Sequence, residues 1–197
     1  MILIDTQKEE FSKLKDIRVF GRISHENRFN KNLLVVGLGG LGSRAVCALK
    51  GMLVDDITPE DNINFLMIDS DISEMEQTIE DSKDGVGFNA LEVISIYRPD
   101  IENVLENGIQ NNKIHKNLAN WMDPEFPEIT IGRDGAKGNR QIGRLMFSNA
   151  YTDIRMLLFD KLQAVYDKTD EGTVDVLIVS GVSGGTGSGI LSDVAYN

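Results

Sequence analysis

The chain of 197 residues has few side chains that could crosslink a fold: one cysteine, Cys47, and two histidines, His25 and His115. One cysteine excludes an internal disulfide, and these three side chains are too few for a structural zinc site built from cysteine and histidine. Such cysteine usage is typical of reducing compartments, so we expect a cytoplasmic protein.

Long apolar runs and an excess of basic residues are also missing. No apolar stretch approaches the ~20 residues that cross a bilayer, so no membrane span is predicted. Lysine and arginine number 20 against 31 acidic residues, and the net charge of −11 argues against nucleic acid as a partner. With 41% hydrophobic residues and only 4 prolines, the composition is that of a globular chain that buries a core.

The clearest pattern begins with Leu-Leu-Val-Val at residues 33–36, which predicts a strand buried on both faces of a parallel sheet. Gly-Leu-Gly-Gly-Leu-Gly follows at residues 37–42, and apolar residues then recur at helical spacing up to Leu53. A second apolar run at residues 63–68 predicts another strand, which ends in Asp-Ser-Asp at 69–71. Together these segments predict a βαβ unit.

The remaining chain is less uniform. Residues 1–30 are polar, and a capping-box sequence at 6–9 predicts an N-terminal extension with a short helix. Residues 72–128 give no clear pattern. Asn139 is a predicted N-cap for a long helix, and residues 174–179 predict a buried strand that leads through a Gly/Ser-rich loop into a last helix. This order predicts an α/β fold with a parallel sheet and right-handed crossovers.

Three glycine-rich loops, at residues 37–42, 132–138 and 183–189, each lie directly before a predicted helix. Helix N-termini present unpaired N–H groups, and glycine lets a phosphate approach the backbone without a Cβ in the way. Each loop is therefore a candidate phosphate-binding segment.

The first loop has the spacing of a dinucleotide fingerprint, and Asp69 at the end of the next strand is a candidate for binding ribose hydroxyls. Asp69 lies further along the chain than the ~20 residues expected in a Rossmann unit. Glycines at a tight strand-to-helix turn also serve purely structural roles, so this loop alone leaves both interpretations open.

The last loop is more specific. Residues 183–189 hold four glycines and three hydroxyl side chains directly after a predicted strand. Such a segment leaves mainly N–H and O–H donors, which is the chemistry of anion binding. A flexible linker would not lie between a strand and an amphipathic helix.

Ser-Gly-Gly-Thr-Gly-Ser-Gly at residues 183–189 resembles the signature loop of the tubulin/FtsZ superfamily of GTPases, and in particular that of the divergent bacterial tubulin-like proteins. The first glycine-rich loop stands where that family has its first nucleotide loop, and Asp-Ser-Asp at 69–71 stands where FtsZ has Asn-Thr-Asp. Gly-Ala-Lys-Gly-Asn at residues 135–139 stands where FtsZ has Gly-Ala-Gly-Ala-Asn, with the matching Gly143-Arg144 after it. The resemblance spans about residues 32 to 197.

This resemblance implies a Rossmann-like GTPase domain of the tubulin/FtsZ type over residues 31–197, incomplete after the helix that follows the signature loop. It implies a site for GTP or GDP with Mg²⁺. The implied nucleotide-binding residues are Gly37, Gly39, Gly40, Leu41, Gly42, Ser43, Asp69, Ser70, Gly135, Ala136, Lys137, Gly138, Asn139, Ser183, Gly184, Gly185, Thr186, Gly187 and Ser188.

Within that set, residues 39–41 and 184–188 would hold the α- and β-phosphates, and residues 135–138 would face the γ-phosphate. Asp71 is the candidate for a position near Mg²⁺, with a solvated acid at a strand end as the alternative. Two departures from FtsZ stand out: Ser43-Arg44 replaces Gly-Asn, and Lys137 replaces a small residue. Lys137 would add a charge near a phosphate or be simply solvated.

The resemblance further implies head-to-tail assembly into protofilament-like structures. In that family the acids that position the attacking water lie in the second half of the fold and act on the neighbouring subunit's nucleotide. The catalytic residues are therefore not identified in this chain, and no Gly-x-x-x-x-Gly-Lys-Ser/Thr P-loop is present. We expect the isolated chain to be inactive as a GTPase.

Three alternatives remain open. The loop at residues 37–43 also resembles the ATP loop of adenylating enzymes of the ThiF, ubiquitin-activating type. A non-catalytic dinucleotide-binding module would explain the same loop. Neither alternative accounts for residues 183–189. The third alternative is an assembly subunit that binds nucleotide without hydrolysing it.

Overall fold

The computed structural model describes residues 32–53, 62–81, 86–106, 122, 135–168 and 174–196. Within these ranges the helices and strands are β1 (Leu33–Leu38), α1 (Gly39–Leu53), β2 (Ile63–Asp69), α2 (Ile72–Asp81), β3 (Val93–Ser95), α3 (Ile101–Glu106), α4 (Arg140–Tyr166), β4 (Asp175–Ser180) and α5 (Gly185–Ala195). The predicted α/β fold is confirmed. The short helix predicted within residues 1–30 lies outside the described residues and stays a prediction.

The described strands form one parallel sheet in the order β3-β2-β1-β4. Leu34 of β1 is paired with Asn64 on one side and with Val176 on the other. The chain moves from β1 outwards to β2 and β3, and then returns to the opposite side of β1 for β4. In open parallel sheets such a reversal leaves a crevice at the carboxyl ends of the two strands, and ligands bind there.

The two faces of the sheet carry separate apolar layers, because alternate side chains of each strand point to opposite faces. On one face, α3, α4 and α5 pack against the sheet. The strand residues of this layer are Leu34, Val36, Leu38, Leu66 and Ile68. On the other face, α1 packs through Val46 and Cys47 against Val35, Phe65 and Met67. Both faces of β1 and β2 are covered, as the continuous apolar runs predict.

The long helix α4 begins as predicted at Asn139. The Asn139 side chain accepts hydrogen bonds from the backbone N–H groups of Gln141 and Ile142, at 2.9 and 3.3 Å. This N-cap fixes the point at which the middle glycine-rich loop becomes helix. The first turn of α4 therefore has a defined direction relative to the sheet.

One sequence-based expectation needs correction. The strand predicted at residues 174–179 forms, but it is not buried: Val176 and Leu177 are 47% and 42% exposed, because β4 is the last strand of the described sheet. An apolar run does not distinguish a central strand from an edge strand. Residues 72–81, for which no element is predicted, form α2.

Candidate functional site

A cavity of about 300 Å³ opens at the carboxyl edge of the sheet, where the strand order reverses. It is lined by the segments that follow β1, β2 and β4, together with the loop before α4. The lining residues are Leu38, Gly39, Gly40, Leu41, Arg44, Asp69, Ser70, Asp71, Glu74, Ala136, Lys137, Gly138, Gly181, Ser183, Gly184, Gly185, Thr186 and Gly187. The structure thus brings all three glycine-rich segments to one place.

The first and last of these segments touch through their backbones. A Cβ built on Gly39 would lie 2.7 Å from the amide nitrogen of Gly187, and Gly39 has a φ of +69°. A Cβ built on Gly187 would lie 2.5 Å from the carbonyl oxygen of Leu38. Only glycine allows this approach, and it places the N-terminus of α1 beside the N-terminus of α5.

The middle segment packs on the last one in the same way. A Cβ on Gly185 would lie 2.7 Å from the amide nitrogen of Asn139 and 2.9 Å from the Cβ of Ala136. Lys137 lies in this segment and has a φ of +44°, a conformation that residues other than glycine rarely adopt. The backbone therefore carries strain at a residue that lines the cavity.

The hydroxyl of Ser70 connects the segments by hydrogen bonds. It accepts one from the backbone N–H of Ala136 at 3.0 Å, and it shares a hydrogen bond of 2.5 Å with the hydroxyl of Thr186. Ser70 and Thr186 are both buried. The end of β2, the middle loop and the start of α5 are therefore joined at one buried side chain.

The carboxylate of Asp69 is buried, and only one of its two oxygens accepts hydrogen bonds from the described residues. Its Oδ1 accepts hydrogen bonds from the backbone N–H groups of Ser70 and Asp71, at 2.7 and 3.3 Å. Its Oδ2 is buried and has no hydrogen-bond partner among the described residues. Burial raises the pKa of Asp69 from 3.8 to about 6; the negative charges of Glu74 and Asp71 add to the rise, and the two N–H hydrogen bonds oppose it.

Two more acids line the cavity on α2. Asp71 is the N-cap residue of this helix, because its Oδ1 accepts a hydrogen bond of 2.8 Å from the backbone N–H of Glu74. The Glu74 side chain reaches back to α1, where its carboxylate is 2.6 Å from the guanidinium of Arg44. Three carboxylates and two cationic side chains, Arg44 and Lys137, therefore line the cavity.

Backbone N–H groups provide the cavity with donors in addition to these side chains. The first turn of an α-helix leaves N–H groups without intrahelical partners, and both α1 and α5 begin at the cavity. Gly184, the N-cap of α5, provides no side-chain acceptor in the described structure. Backbone N–H groups in the glycine-rich first turns of two adjacent helices have the chemistry to contact an extended anion such as a di- or triphosphate.

Thirteen of the nineteen predicted nucleotide-binding residues line the cavity, and six do not. The six are Gly37, Gly42, Ser43, Gly135, Asn139 and Ser188.

 Asp71, the predicted metal-site residue, also lines the cavity, so fourteen of the twenty predicted site residues do.

The six residues outside the lining have identifiable structural positions. Gly37 and Gly42 let α1 pack down on the sheet: a Cβ on Gly42 would lie 2.5 Å from the carbonyl oxygen of Val179. Ser43 is buried, and its hydroxyl has no partner among the described residues. The hydroxyl of Ser188 donates a hydrogen bond to the carbonyl oxygen of Gly184. Asn139 caps α4, as described above.

Gly135 supports the middle loop rather than lining the cavity. It has a φ of +73°, and a Cβ there would lie 2.8 Å from the Ser70 hydroxyl oxygen. Glycine is required at this position both by the backbone conformation and by the close approach of Ser70.

Sequence reasoning did not identify Glu74 as a cavity residue. The signal that would have found it is the Asp-x-x-Glu spacing of residues 71–74, a capping pattern that marks the first turn of a helix. This spacing predicts a helix directly after β2, with Glu74 in its first turn.

Two negative observations apply to the described ranges alone. No group of three or more His, Cys, Asp or Glu side chains there is arranged to hold a metal ion. A cation at the cavity would therefore need ligand oxygens from its companion ligand as well as from the protein. No helix in the described ranges is long and apolar enough to cross a membrane.

Comparison with known proteins gives one match. A family model described as "Tubulin like" matches residues 34–197, which include the whole described sheet from Leu34 onwards and every cavity-lining residue. No curated protein and no solved structure matches the chain significantly.

Proposed function

The chain belongs to the tubulin-like family, and from this premise we propose that its cavity binds a guanine nucleotide, GTP or GDP, together with Mg²⁺. The observation that carries the proposal is the meeting of three glycine-rich segments around one cavity, with the first turns of α1 and α5 side by side. An extended, strongly anionic ligand fits such a site, because backbone N–H groups and helix dipoles favour negative charge.

The proposed roles follow from position. The N–H groups at the starts of α1 and α5 hold the α- and β-phosphates, and the loop at residues 135–138 faces the terminal phosphate. Ser70 holds that loop in place through the N–H of Ala136 and is not itself required to touch the ligand. The base-binding residues are not identified within the described cavity. The proposal of guanine as the base is therefore supported by family membership alone.

Asp71 and Asp69 are the residues that would hold Mg²⁺ beside the phosphates. The fit rests on the Oδ2 of Asp69, which is buried and has no partner among the described residues, and on the hard carboxylate chemistry of both side chains. A bound Mg²⁺ would neutralise phosphate charge at a cavity that already contains three carboxylates. The chain's own contribution is to fix these oxygens at the carboxyl end of β2.

Family membership also supports nucleotide-dependent, head-to-tail assembly, with hydrolysis completed by a neighbouring subunit. Head-to-tail contacts are heterologous and form open filaments when the rotation between subunits does not close. The glycine-rich segments described here bind and orient the phosphates. Hydrolysis additionally needs a positioned water and stabilisation of developing charge, which we assign to the neighbouring subunit.

Titration of the chain with fluorescently labelled nucleotides tests the proposal. We expect GTP and GDP to bind in the presence of Mg²⁺, with ATP and NAD binding at least about tenfold more weakly, a difference of about 1.4 kcal/mol. Preference for ATP would favour an adenylating enzyme, and preference for NAD would favour a dinucleotide-binding module. Either preference contradicts the proposal, as does the absence of binding to all four ligands.

Lys137 provides a prediction about the terminal phosphate. We expect Lys137→Gly to reduce the affinity for GTP more than that for GDP, because the variant removes a charge from the loop proposed to face the γ-phosphate. The same change should stabilise the fold by roughly 1 kcal/mol, since glycine adopts the φ of +44° without strain. Parallel titrations and thermal unfolding measure the two effects.

Lys137→Arg is the matched variant, because it keeps both the charge and the strained backbone. It should retain the preference for GTP over GDP and the stability of the original chain. Equal weakening of GTP and GDP in Lys137→Gly would show that this loop does not recognise the terminal phosphate.

A further inference from the structure

The ion pair between Arg44 and Glu74 lies at the start of α1, inside the lining of the cavity. Arg44 belongs to α1 and Glu74 to α2, and their charged groups are 2.6 Å apart. The contacts described above that join the three glycine-rich segments involve neither Arg44 nor Glu74. The pair therefore requires an explanation of its own.

The position of the Glu74 carboxylate is unusual, because it lies directly against the backbone of Gly40. A Cβ built on Gly40 would collide with the carboxylate carbon and both of its oxygens. Gly40 belongs to the first turn of α1, which is the turn proposed to bind phosphate. The protein thus places one of its own anions at the entrance to its phosphate-binding turn.

The backbone of Glu74 is fixed by two hydrogen bonds, whereas its side chain is held by an exposed ion pair. Its N–H donates to Asp71 Oδ1, and its carbonyl oxygen accepts from the hydroxyl of Thr78 at 2.7 Å. The Arg44 and Glu74 side chains are 62% and 37% exposed, and ion pairs at such exposure contribute about 0 to 1 kcal/mol. A phosphate group can accept the same pair of guanidinium hydrogen bonds as a carboxylate and carries more negative charge, so it is a stronger partner for Arg44.

We propose that Arg44 binds a phosphate of the nucleotide and that Glu74 competes with that phosphate, both for Arg44 and for the space beside Gly40. This inference rests on the proposed function and names two further residues of the same site. On binding, Arg44 exchanges the Glu74 carboxylate for a phosphate oxygen, and the Glu74 side chain moves away from Gly40. The ligand class is a nucleoside di- or triphosphate.

The test is a titration of labelled GDP, carried out in EDTA so that no divalent cation links carboxylates to phosphates. Glu74→Gln should bind GDP about fivefold more tightly than the original chain, which corresponds to about 1 kcal/mol. Arg44→Gln should bind it about tenfold more weakly, as expected for the loss of a charge-assisted contact. Thermal unfolding of each variant establishes that it is folded.

The double variant Arg44→Gln/Glu74→Gln tests the competition itself. If the two side chains act through each other, the gain from Glu74→Gln becomes smaller once Arg44 is absent, so the effects are not additive. Glu76→Gln is the matched control, because Glu76 lies on the same helix, is exposed and does not line the cavity. It should leave the affinity for GDP unchanged.

Different failures have different meanings. If the original chain binds neither GTP nor GDP, the proposed function is wrong. If it binds GDP but Glu74→Gln leaves the affinity unchanged or weakens it in EDTA, the competition is overturned. Unchanged affinity in Arg44→Gln overturns the role of Arg44. If Glu74→Gln leaves the affinity unchanged in EDTA and weakens binding only with Mg²⁺, the competition is overturned and Glu74 is a metal-site residue.

Discussion

Gly185→Val is expected to lower the affinity for GTP by up to about 100-fold, the loss that corresponds to the upper range for overpacking a close contact. The side chain would have to enter a space already filled by backbone: even its Cβ would lie 2.7 Å from the amide nitrogen of Asn139 and 2.9 Å from the Cβ of Ala136. The start of α5 must then move away from the middle loop. This movement separates the N–H groups proposed to act together on the phosphates.

Nucleotide titration measures the loss, and circular dichroism with thermal unfolding shows whether the variant is folded. Gly185→Ala, which adds only the Cβ, should lose less affinity and retains the fold more easily. Gly87→Val is the matched control: within the described structure Gly87 has no atom within 4 Å of a built Cβ, and it does not line the cavity. Full affinity in a folded Gly185→Val would contradict the placement of the site.

Asp69→Asn is expected to stabilise the fold while weakening ligand binding. The folded-state pKa of Asp69 is raised from 3.8 to about 6, so between these values the folded protein binds more protons than the unfolded one. The free energy of unfolding therefore falls as the pH rises through this window, by about 3 kcal/mol for a shift of this size, and stays low above pH 6. Asparagine does not ionise, so the variant does not show this fall in the free energy of unfolding.

Urea unfolding in EDTA, without nucleotide, measures the stability part of this prediction. At pH 4 the two proteins should be similarly stable, and at pH 7.5 Asp69→Asn should be more stable by about 1 to 3 kcal/mol. In Mg²⁺ the variant should bind GTP more weakly, because the carboxylate proposed to hold the cation is gone. Glu80→Gln, which removes an exposed charge from α2, should show neither effect.

Equal pH dependence of stability in Asp69→Asn and the original chain would contradict the assignment of the window to Asp69. Stabilisation without any change in Mg²⁺-dependent binding would separate the two parts of the prediction. Asp69 would then be a buried acid with no role in holding the cation.

Much of the fold could be predicted from the sequence because its local patterns agree with its tertiary structure. The runs at residues 33–36 and 63–68 are apolar on both faces and form strands whose two faces are both covered. Asn139 has a side chain that caps a helix and does cap one. In both cases the residues nearest in sequence decide the structure.

Predictions failed where the structure depends on residues that are distant in sequence. Leu177 has the same apolar character as Leu34, yet it is exposed, since β4 is the last strand of the described sheet. Likewise, the sequence of the first loop did not separate glycines that line the cavity, such as Gly40, from those that permit packing, such as Gly42. That distinction depends on β4, which is remote in sequence. The position of Glu74 depends on α1 in the same way.

The pairing of β1 with β4 also has a consequence for folding kinetics. β1, α1 and β2 are close in sequence and can associate early, whereas β4 must close a much longer loop before it pairs with β1. The first turns of α1 and α5 meet only after that step. A ligand that bridges them binds a contact formed late in folding, so it should slow unfolding while leaving the refolding rate nearly unchanged.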